Sequence, residues 1–363
     1  MFARGNDSIT AKYREKTMNL TDAPTEFDQS SPEWQVRMMA MGHLIPRCLF
    51  VAAELDLAKR LAQRAQIADE LADAAGVHGP TLYRVLRALA SVGVFKENGK
   101  RRFANTPLSE TLRSDAPNSL RPWILMFGDE TSWRSWGELS YSLKTGGPAF
   151  EHLYGMNCFE YMATDPVRSK TFDEAMSTVT WLTSDAMVQA YDFTNTKLLI
   201  DVGGGNGTLL CAILNANPKL RGIVFDLPHV QTSAINYIAS QGLQVRSEFI
   251  AGSFFDSELP EADTYIVQRV LHDWDDAHCV RVLRACANAA CQRARMLIAE
   301  AIIRPGNEAF VGKLMDLHML VMTHGGRERT LEEYQALLSE AGWAYTRVVS
   351  TTSPYSMIEG VKR

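Results

Sequence analysis

The chain has 363 residues, 46% hydrophobic and 22% charged, ordinary proportions for a globular protein. Its length exceeds what one growing core supports and suggests two domains. The formal net charge of −5 argues against a basic nucleic-acid-binding protein. Apolar runs such as Cys48–Ala53 and Met319–Met322 fall well short of the about 20 residues a membrane span needs. Six cysteines, at 48, 158, 211, 279, 286 and 291, form no C-x-x-C pair and read as buried apolar groups. With no apolar signal core in residues 1–30, the expectation is a cytoplasmic protein that meets no membrane.

Residues 1–30 read as a mobile arm in which Met18 is an alternative start. Helical spacing of apolar positions runs from Trp34 to Leu61. Ile67 opens a short helix, Gly76–Gly79 breaks it, and Pro80 starts another. Asn98-Gly99, between Phe95 and Phe103, is a two-residue hairpin signal. Helix, turn, helix and hairpin describe a winged helix within residues 31–120.

That shape raises the possibility of a DNA-binding regulator. Residues 1–110 hold 15 Lys and Arg against 13 Asp and Glu, a weak electrostatic footprint. The helix Thr81–Ser91 carries Arg84 and Arg87 among Leu82, Val85, Leu86 and Leu89, without the side-chain density that base readout uses. The run Lys100-Arg101-Arg102 is expected to be a solvated wing tip. The apolar helices are expected to bury against a second subunit, so the reading is a homodimer through the N-terminal domain and no nucleic acid.

Residues 121–190 are rich in Trp, Met, Phe and Tyr at helical spacing. They form a helical connector, part core and part wall of a pocket for an aromatic ligand. From 191 to 363 strands and helices alternate. Segments 197–202, 222–226, 248–251, 264–268 and 296–300 read as strands, which implies a parallel sheet with helices on both faces. The fold class is α/β, a Rossmann-like domain preceded by an all-α, winged-helix domain.

The first of these strands runs into Gly203-Gly-Gly-Asn-Gly207, which opens a helix. Glycines admit close backbone approach, and a helix start offers free N–H groups. Asp201 precedes the loop, and Asp226 ends the next strand, where an acid can hold ribose hydroxyls. The third glycine of the dinucleotide fingerprint is displaced, since Thr208 follows Gly207. A cofactor without a pyrophosphate does not need it, and a cationic sulfonium suits Asp201. S-adenosylmethionine fits these points better than NAD.

Asp201-Val-Gly-Gly-Gly-Asn-Gly207, Phe225-Asp-Leu-Pro-His-Val230, Val270-Leu-His-Asp-Trp274 and Gly325-Gly-Arg-Glu-Arg-Thr330 occur in that order. Together they resemble the S-adenosylmethionine-dependent O-methyltransferases of the caffeic-acid and hydroxyindole type, over nearly the whole chain. The bacterial branch of that family modifies polycyclic aromatic natural products such as phenazines and anthracyclines. The resemblance implies that the Gly203 and Gly205 loop holds the methionine part, that Asp226 holds the ribose and that Phe254 covers the adenine. Ser253 stands where the family usually has Asp, and Gln268, beside Arg269, stands where plant members commonly have Lys. S-adenosylhomocysteine is the implied product.

Methyl transfer to a phenol requires removal of a proton from a group of pKa ~10. A histidine can take it. His272 follows the fourth strand at the carboxyl edge of the sheet, where α/β proteins place ligands. Asp273 either orients the base or the substrate or begins the next helix, and Asp275-Asp276 supplies an N-cap. A histidine base needs a second group to aim it. Glu300 ends the following strand, and the family places Glu300 and Glu328 on either side of the histidine. His318, His324 and Asp316 lack metal-ligand spacing, so no metal is expected.

By position, Met126, Met176 and Met319 match pocket residues of plant relatives, while Phe127 and Val179 replace polar ones. That favours a larger, flatter and less hydroxylated substrate. The reading is O-methylation of an aromatic hydroxyl on a polycyclic metabolite. Its alternatives are N-methylation of a heteroaromatic and a non-methylating reaction on the same cofactor.

Overall fold

The structure, a computed structural model, describes residues 31–363, so the N-terminal arm and Met18 lie outside the described residues. Two units are resolved by their contacts, one ending at Pro46 and one spanning Arg47–Arg363. In the first, α1 (Pro32–Ala40) starts on Ser31, whose side chain accepts from Trp34 N–H at 3.2 Å. A turn at residues 41–43 separates it from α2 (Leu44–Glu54). The stretch Pro32–Glu54 reaches the length and mean hydropathy, 1.3, of a spanning helix, which the reading of apolar runs missed. That turn and the charges of Glu33, Arg37, Arg47 and Glu54 interrupt it.

The winged helix contains α3 (Leu57–Arg60), β1 (Gln66–Ile67), α4 (Ala68–Ala75), α5 (Gly79–Ser91), β2 (Phe95–Glu97), β3 (Arg102–Asn105) and α6 (Pro107–Glu110). Ile67 is the N-cap of α4, as expected of a helix opening there, and also pairs, within β1, with Arg102 of β3. Three expectations need correction. The hairpin turn is longer than two residues, because Lys100 and Arg101 also take positive φ, 50° and 59°. The apolar face of α5 is not free for a partner, since Leu82, Leu86 and Leu89 are buried with Leu71, Phe95 and Phe103 in their own core. Nor are the wing cations all solvated. Arg101 lies over the Tyr83 ring at 4.5 Å, and Arg102 donates to Ala65 O at 2.9 Å.

Five short helices follow: α7 (Arg121–Gly128), α8 (Glu130–Gly137), α9 (Leu139–Thr145), α10 (Ala149–Tyr154) and α11 (Cys158–Ala163). The long α12 (Pro166–Ala190) is capped by Asp165, whose carboxylate accepts from Val167 and Arg168 N–H. It packs against α7 on one side and against the first helix of the sheet domain on the other.

That domain runs β4 (Leu198–Val202), α13 (Thr208–Ala216), β5 (Arg221–Asp226), α14 (Gln231–Ser240), β6 (Ser247–Ala251), β7 (Thr264–Gln268), α15 (Asp276–Ala289) and β8 (Arg295–Glu300). It ends with α16 (Val311–Met322), α17 (Leu331–Glu340), β9 (Trp343–Ser350) and β10 (Ser356–Lys362). The seven strands lie in the order β6-β5-β4-β7-β8-β10-β9. Strands β4 to β8 pair in parallel, but β10 is antiparallel to both β8 and β9. The expectation of a purely parallel sheet therefore fails at one edge. No helix follows β9, so the chain can return only as a hairpin.

Period-two alternation builds a core on each face. Ile200, Val202, Tyr265, Val267, Met296 and Ile298 face Leu283, Tyr334 and Trp343. Leu199, Val224, Ile266 and Leu297 face Leu210, Ile213 and Met187. Strand order reverses between β4 and β7, and the loops leaving the carboxyl ends of β4, β5, β7 and β8 carry the residues discussed next. This is where open α/β sheets form a ligand crevice. Cys158, Cys211, Cys279 and Cys286 are buried thiols, and Cys48 and Cys291 are half-buried.

Candidate active site

The loop after β4 is shaped for close approach. Gly203 has φ of 72°, and a Cβ there would lie 2.7 Å from Val270 Cγ2; one on Gly204 would lie 2.6 Å from Asp201 Cγ. No larger residue fits either place without moving the loop. Gly205 N–H donates to Asp226 Oδ2 at 2.7 Å, and Leu227 N–H to Oδ1 at 2.6 Å. Asp201 is buried, and its Oδ2 has no hydrogen-bond partner among the described residues. Burial, with Asp226 nearby, pushes its carboxyl up to about 7, and burial also raises Asp226. A buried, underused acid beside a glycine cradle fits a cationic, hydroxyl-bearing cofactor such as S-adenosylmethionine.

Other residues assigned to the cofactor are placed unevenly. Phe254 borders the loop, with Cε1 3.8 Å from the position of a Gly203 Cβ. Ser253 turns inward on its own segment, its Oγ accepting from Phe255 N–H at 3.2 Å. Gln268 reaches α12, where Nε2 donates to Thr183 Oγ1 at 3.5 Å. Arg269 sits at φ 53°, its N–H donating to Ala299 O at 3.2 Å and its guanidinium to Met176 Sδ. Arg269 thus leads toward the pocket.

His272 lies in a single helical turn, Leu271–Asp273, directly after β7. Its ring is buried, and Nδ1 lies 3.0 Å from Glu328 Oε1. A carboxylate can only accept, so Nδ1 carries the hydrogen and Nε2 is the basic nitrogen. Asp273 Oδ1 is 3.6 Å from Nε2 and Glu300 Oε2 is 3.9 Å from Nδ1. Burial alone would lower the imidazole, but Asp273, Glu300 and Glu328 outweigh it and lift the ring to about 9.

Glu300 does not hydrogen-bond the histidine. Its Oε1 accepts from Val270 and Leu271 N–H, at 3.0 and 2.9 Å, and so fixes the backbone that presents His272. Burial pushes its carboxyl upward. His272, Glu300 and Glu328 offer ligand-type atoms within 4.8 Å of one another. A proton on Nδ1 makes that nitrogen a donor rather than a ligand, and the imidazolium would repel a cation.

The cluster is held by two residues that sequence reasoning did not use. Arg329 is fully buried and donates to Leu271 O at 2.9 Å, to Trp274 O at 2.7 Å and to Asp276 Oδ1 at 2.8 Å. Asp316 Oδ1 accepts from Glu328 N–H at 3.0 Å. Asp275 caps α15 as expected, accepting from His278 N–H at 2.8 Å.

The residues assigned to the substrate pocket lie on three helices. Met126 and Phe127 lie on α7, Met176 and Val179 on α12, and Met319 on α16. Phe127 stacks on His318 at 4.7 Å, and the Arg269–Met176 contact ties α12 to the segment that precedes His272. His318 accepts a hydrogen bond from Trp136 Nε1 at 3.1 Å, and burial depresses its ring to about 4. His324 instead pairs with Glu151 at 3.2 Å on the surface.

A family model described as an O-methyltransferase domain matches residues 136–344, and one described as an O-methyltransferase dimerisation domain matches residues 38–115. The chain is 40% identical over 321 residues to the phenazine O-methyltransferase PhzM of Lysobacter antibioticus, covering 88% of this chain and 94% of that one. The crystal structure of LaPhzM superposes with a TM-score of 0.88 at 39% identity, covering 91% of this chain and 99% of that one. An O-methyltransferase from neocarzinostatin biosynthesis, in complex with S-adenosylmethionine and 2-hydroxy-5-methyl naphthoic acid, superposes at 0.74 with 36% identity, covering 88% and 96%. The cradle, the histidine cluster and these matches agree: the chain belongs to the S-adenosylmethionine-dependent O-methyltransferases of the caffeic-acid and hydroxyindole type, in their bacterial natural-product branch.

Proposed function

We propose that this enzyme methylates an aromatic hydroxyl on a polycyclic, phenazine-like or anthraquinone-like metabolite, with His272 as general base. One observation carries the reading: Glu328, 3.0 Å from Nδ1, keeps a hydrogen there, so that in the neutral ring Nε2 is the nitrogen that accepts the substrate proton. Bound S-adenosylmethionine supplies an electrophilic methyl group on a sulfonium. Gly203, Gly205, Asp201 and Asp226 are the residues that would hold it, with Phe254 beside them. The substrate hydroxyl gives its proton to His272 Nε2, and Glu328, Glu300 and Asp273 stabilise the imidazolium. A base lifted to about 9 is well matched to a phenol of pKa ~10, so the proton moves at little cost.

Met126, Phe127, Met176, Val179 and Met319 form a largely apolar wall suited to a flat ring system. Relatives named for phenazine and naphthoate substrates support the same class. The dimerisation domain supports a homodimer. His272→Ala should bind S-adenosylmethionine as the wild type does, by calorimetry, and lose about 10²–10⁴-fold in methyl transfer. Near-wild-type turnover of that variant at every pH would remove His272 from the reaction.

A further inference from the structure

The pocket wall holds a second imidazole whose hydrogen is positioned by a neighbour. An indole N–H can only donate, so His318 Nδ1, 3.1 Å from Trp136 Nε1, must offer its lone pair. The ring hydrogen is thereby placed on Nε2. The two rings are tilted by 17° with centroids 6.1 Å apart, the geometry of an in-plane hydrogen bond. Phe127 covers one face of the imidazole at 4.7 Å, with the planes 27° apart. Among the described residues Nε2 has no acceptor of its own, and the side chain is only half-buried. Depressed to about 4 by burial and by the charge of His272, the ring stays neutral through the physiological range. Phe127, on which the imidazole stacks, is one of the residues assigned to the pocket wall.

We propose that His318 is a specificity-determining residue whose Nε2–H reads a hydrogen-bond acceptor, a ring nitrogen or carbonyl oxygen, on the aromatic substrate. The assignment rests on the proposed methylation of a polycyclic hydroxyl. It adds that the ring system must carry an acceptor apart from the hydroxyl that His272 deprotonates. A substrate without one leaves a buried donor unpaired, and a pocket built around a hydrogen bond rejects such an analogue.

The test compares 1-hydroxyphenazine with 1-hydroxyanthracene, its isostere with C–H in place of each ring nitrogen. Wild type should favour the phenazine in kcat/KM, and His318→Phe should reduce that preference by about tenfold. Comparing the ratios of the two enzymes cancels the intrinsic reactivity of the two phenols. His318→Gln, which sets an amide N–H near the place of Nε2, should restore most of the preference. Trp136→Phe should erode it by releasing the tautomer. Equal losses on both substrates in His318→Phe would overturn the assignment.

Nitrogen NMR of the wild-type complex with S-adenosylhomocysteine tests it without turnover. Nδ1 should be pyridine-like and Nε2 pyrrole-like, unchanged across neutral pH. A protonated Nδ1, or a ring that titrates near neutrality, would overturn it. The two proposals fail separately: no S-adenosylhomocysteine formed from any hydroxyarene defeats the reaction, while the nitrogen spectrum still decides the role of His318.

Discussion

At His272 two large effects oppose each other, and their balance sets the pH at which the proposed base is available. Desolvating an imidazolium costs several kcal/mol. Each carboxylate near 4 Å returns about 4 kcal/mol at an effective dielectric of about 20. Three carboxylates, at 3.0, 3.6 and 3.9 Å, therefore win, and the ring rises to about 9. At neutral pH the resting histidine is mostly protonated, so kcat/KM should climb with pH and level off near 9. Ionisation of a phenol gives a similar limb, and Glu328→Gln separates the two. Removing that charge destabilises the imidazolium, lowers the pKa of His272 and moves the limb to lower pH. A limb that stays in place in Glu328→Gln would assign the ionisation to the substrate. His272 and Glu300 were legible because they follow and end strands at one sheet edge, and Glu328 because it stands in the motif Gly325–Thr330. Arg329 and His318 were not, since burial of a charge and the tautomer of a ring depend on distant neighbours that no local spacing records.

At the scale of elements, the turn that bears His272 is stabilised by a strap from the loop before α17. Arg329 bridges Leu271 O, Trp274 O and Asp276, closing a loop of more than fifty residues around the segment that bears His272. Arg329→Met should leave Leu271 O and Trp274 O with only the weaker bonds from Trp274 N–H and the Cys279 thiol, and cost about 1.5–3 kcal/mol in denaturant unfolding. It should also lower kcat more than it weakens cofactor binding, because the glycine loop stands on a different strand. Arg329→Lys should recover part of the stability, since a point charge cannot span all three acceptors. Unchanged unfolding and unchanged kcat in Arg329→Met would show that the turn holds itself. The parallel strands were readable as short apolar runs between turn residues. Strands β9 and β10 were not, because the edge strand β9 is largely exposed and Glu359-Gly360 interrupts the apolar run of β10. The same limit applied to β1, a two-residue strand that exists only because Gln66 and Ile67 pair with β3.

For the whole molecule, the unequal distribution of charge and apolar surface bears on assembly. Residues 1–110 carry 15 basic and 13 acidic side chains, and residues 111–363 carry 22 basic and 29 acidic. Residues 191–363 account for 16 basic and 19 acidic of these, so the acidic excess is shared by the connector and the cofactor domain; Asp201 and Asp226 act locally and the overall field is weak. Apolar exposure says more. No residue of α1 is buried, and Val36 and Met39 are 66% and 76% exposed. Apolar side chains grouped on one helix signal an association surface. The dimerisation-domain match begins at residue 38, within this helix. A twofold pairing of α1 with its copy would bury the same patch on both chains. Sedimentation should therefore give a particle of about twice 40.5 kDa. The double substitution Val36→Glu, Met39→Glu sets like charges against each other across that pairing and should shift the enzyme to monomers while circular dichroism stays native. A dimer that survives both glutamates with undiminished affinity would move the interface away from α1 and onto other surfaces of the dimerisation domain.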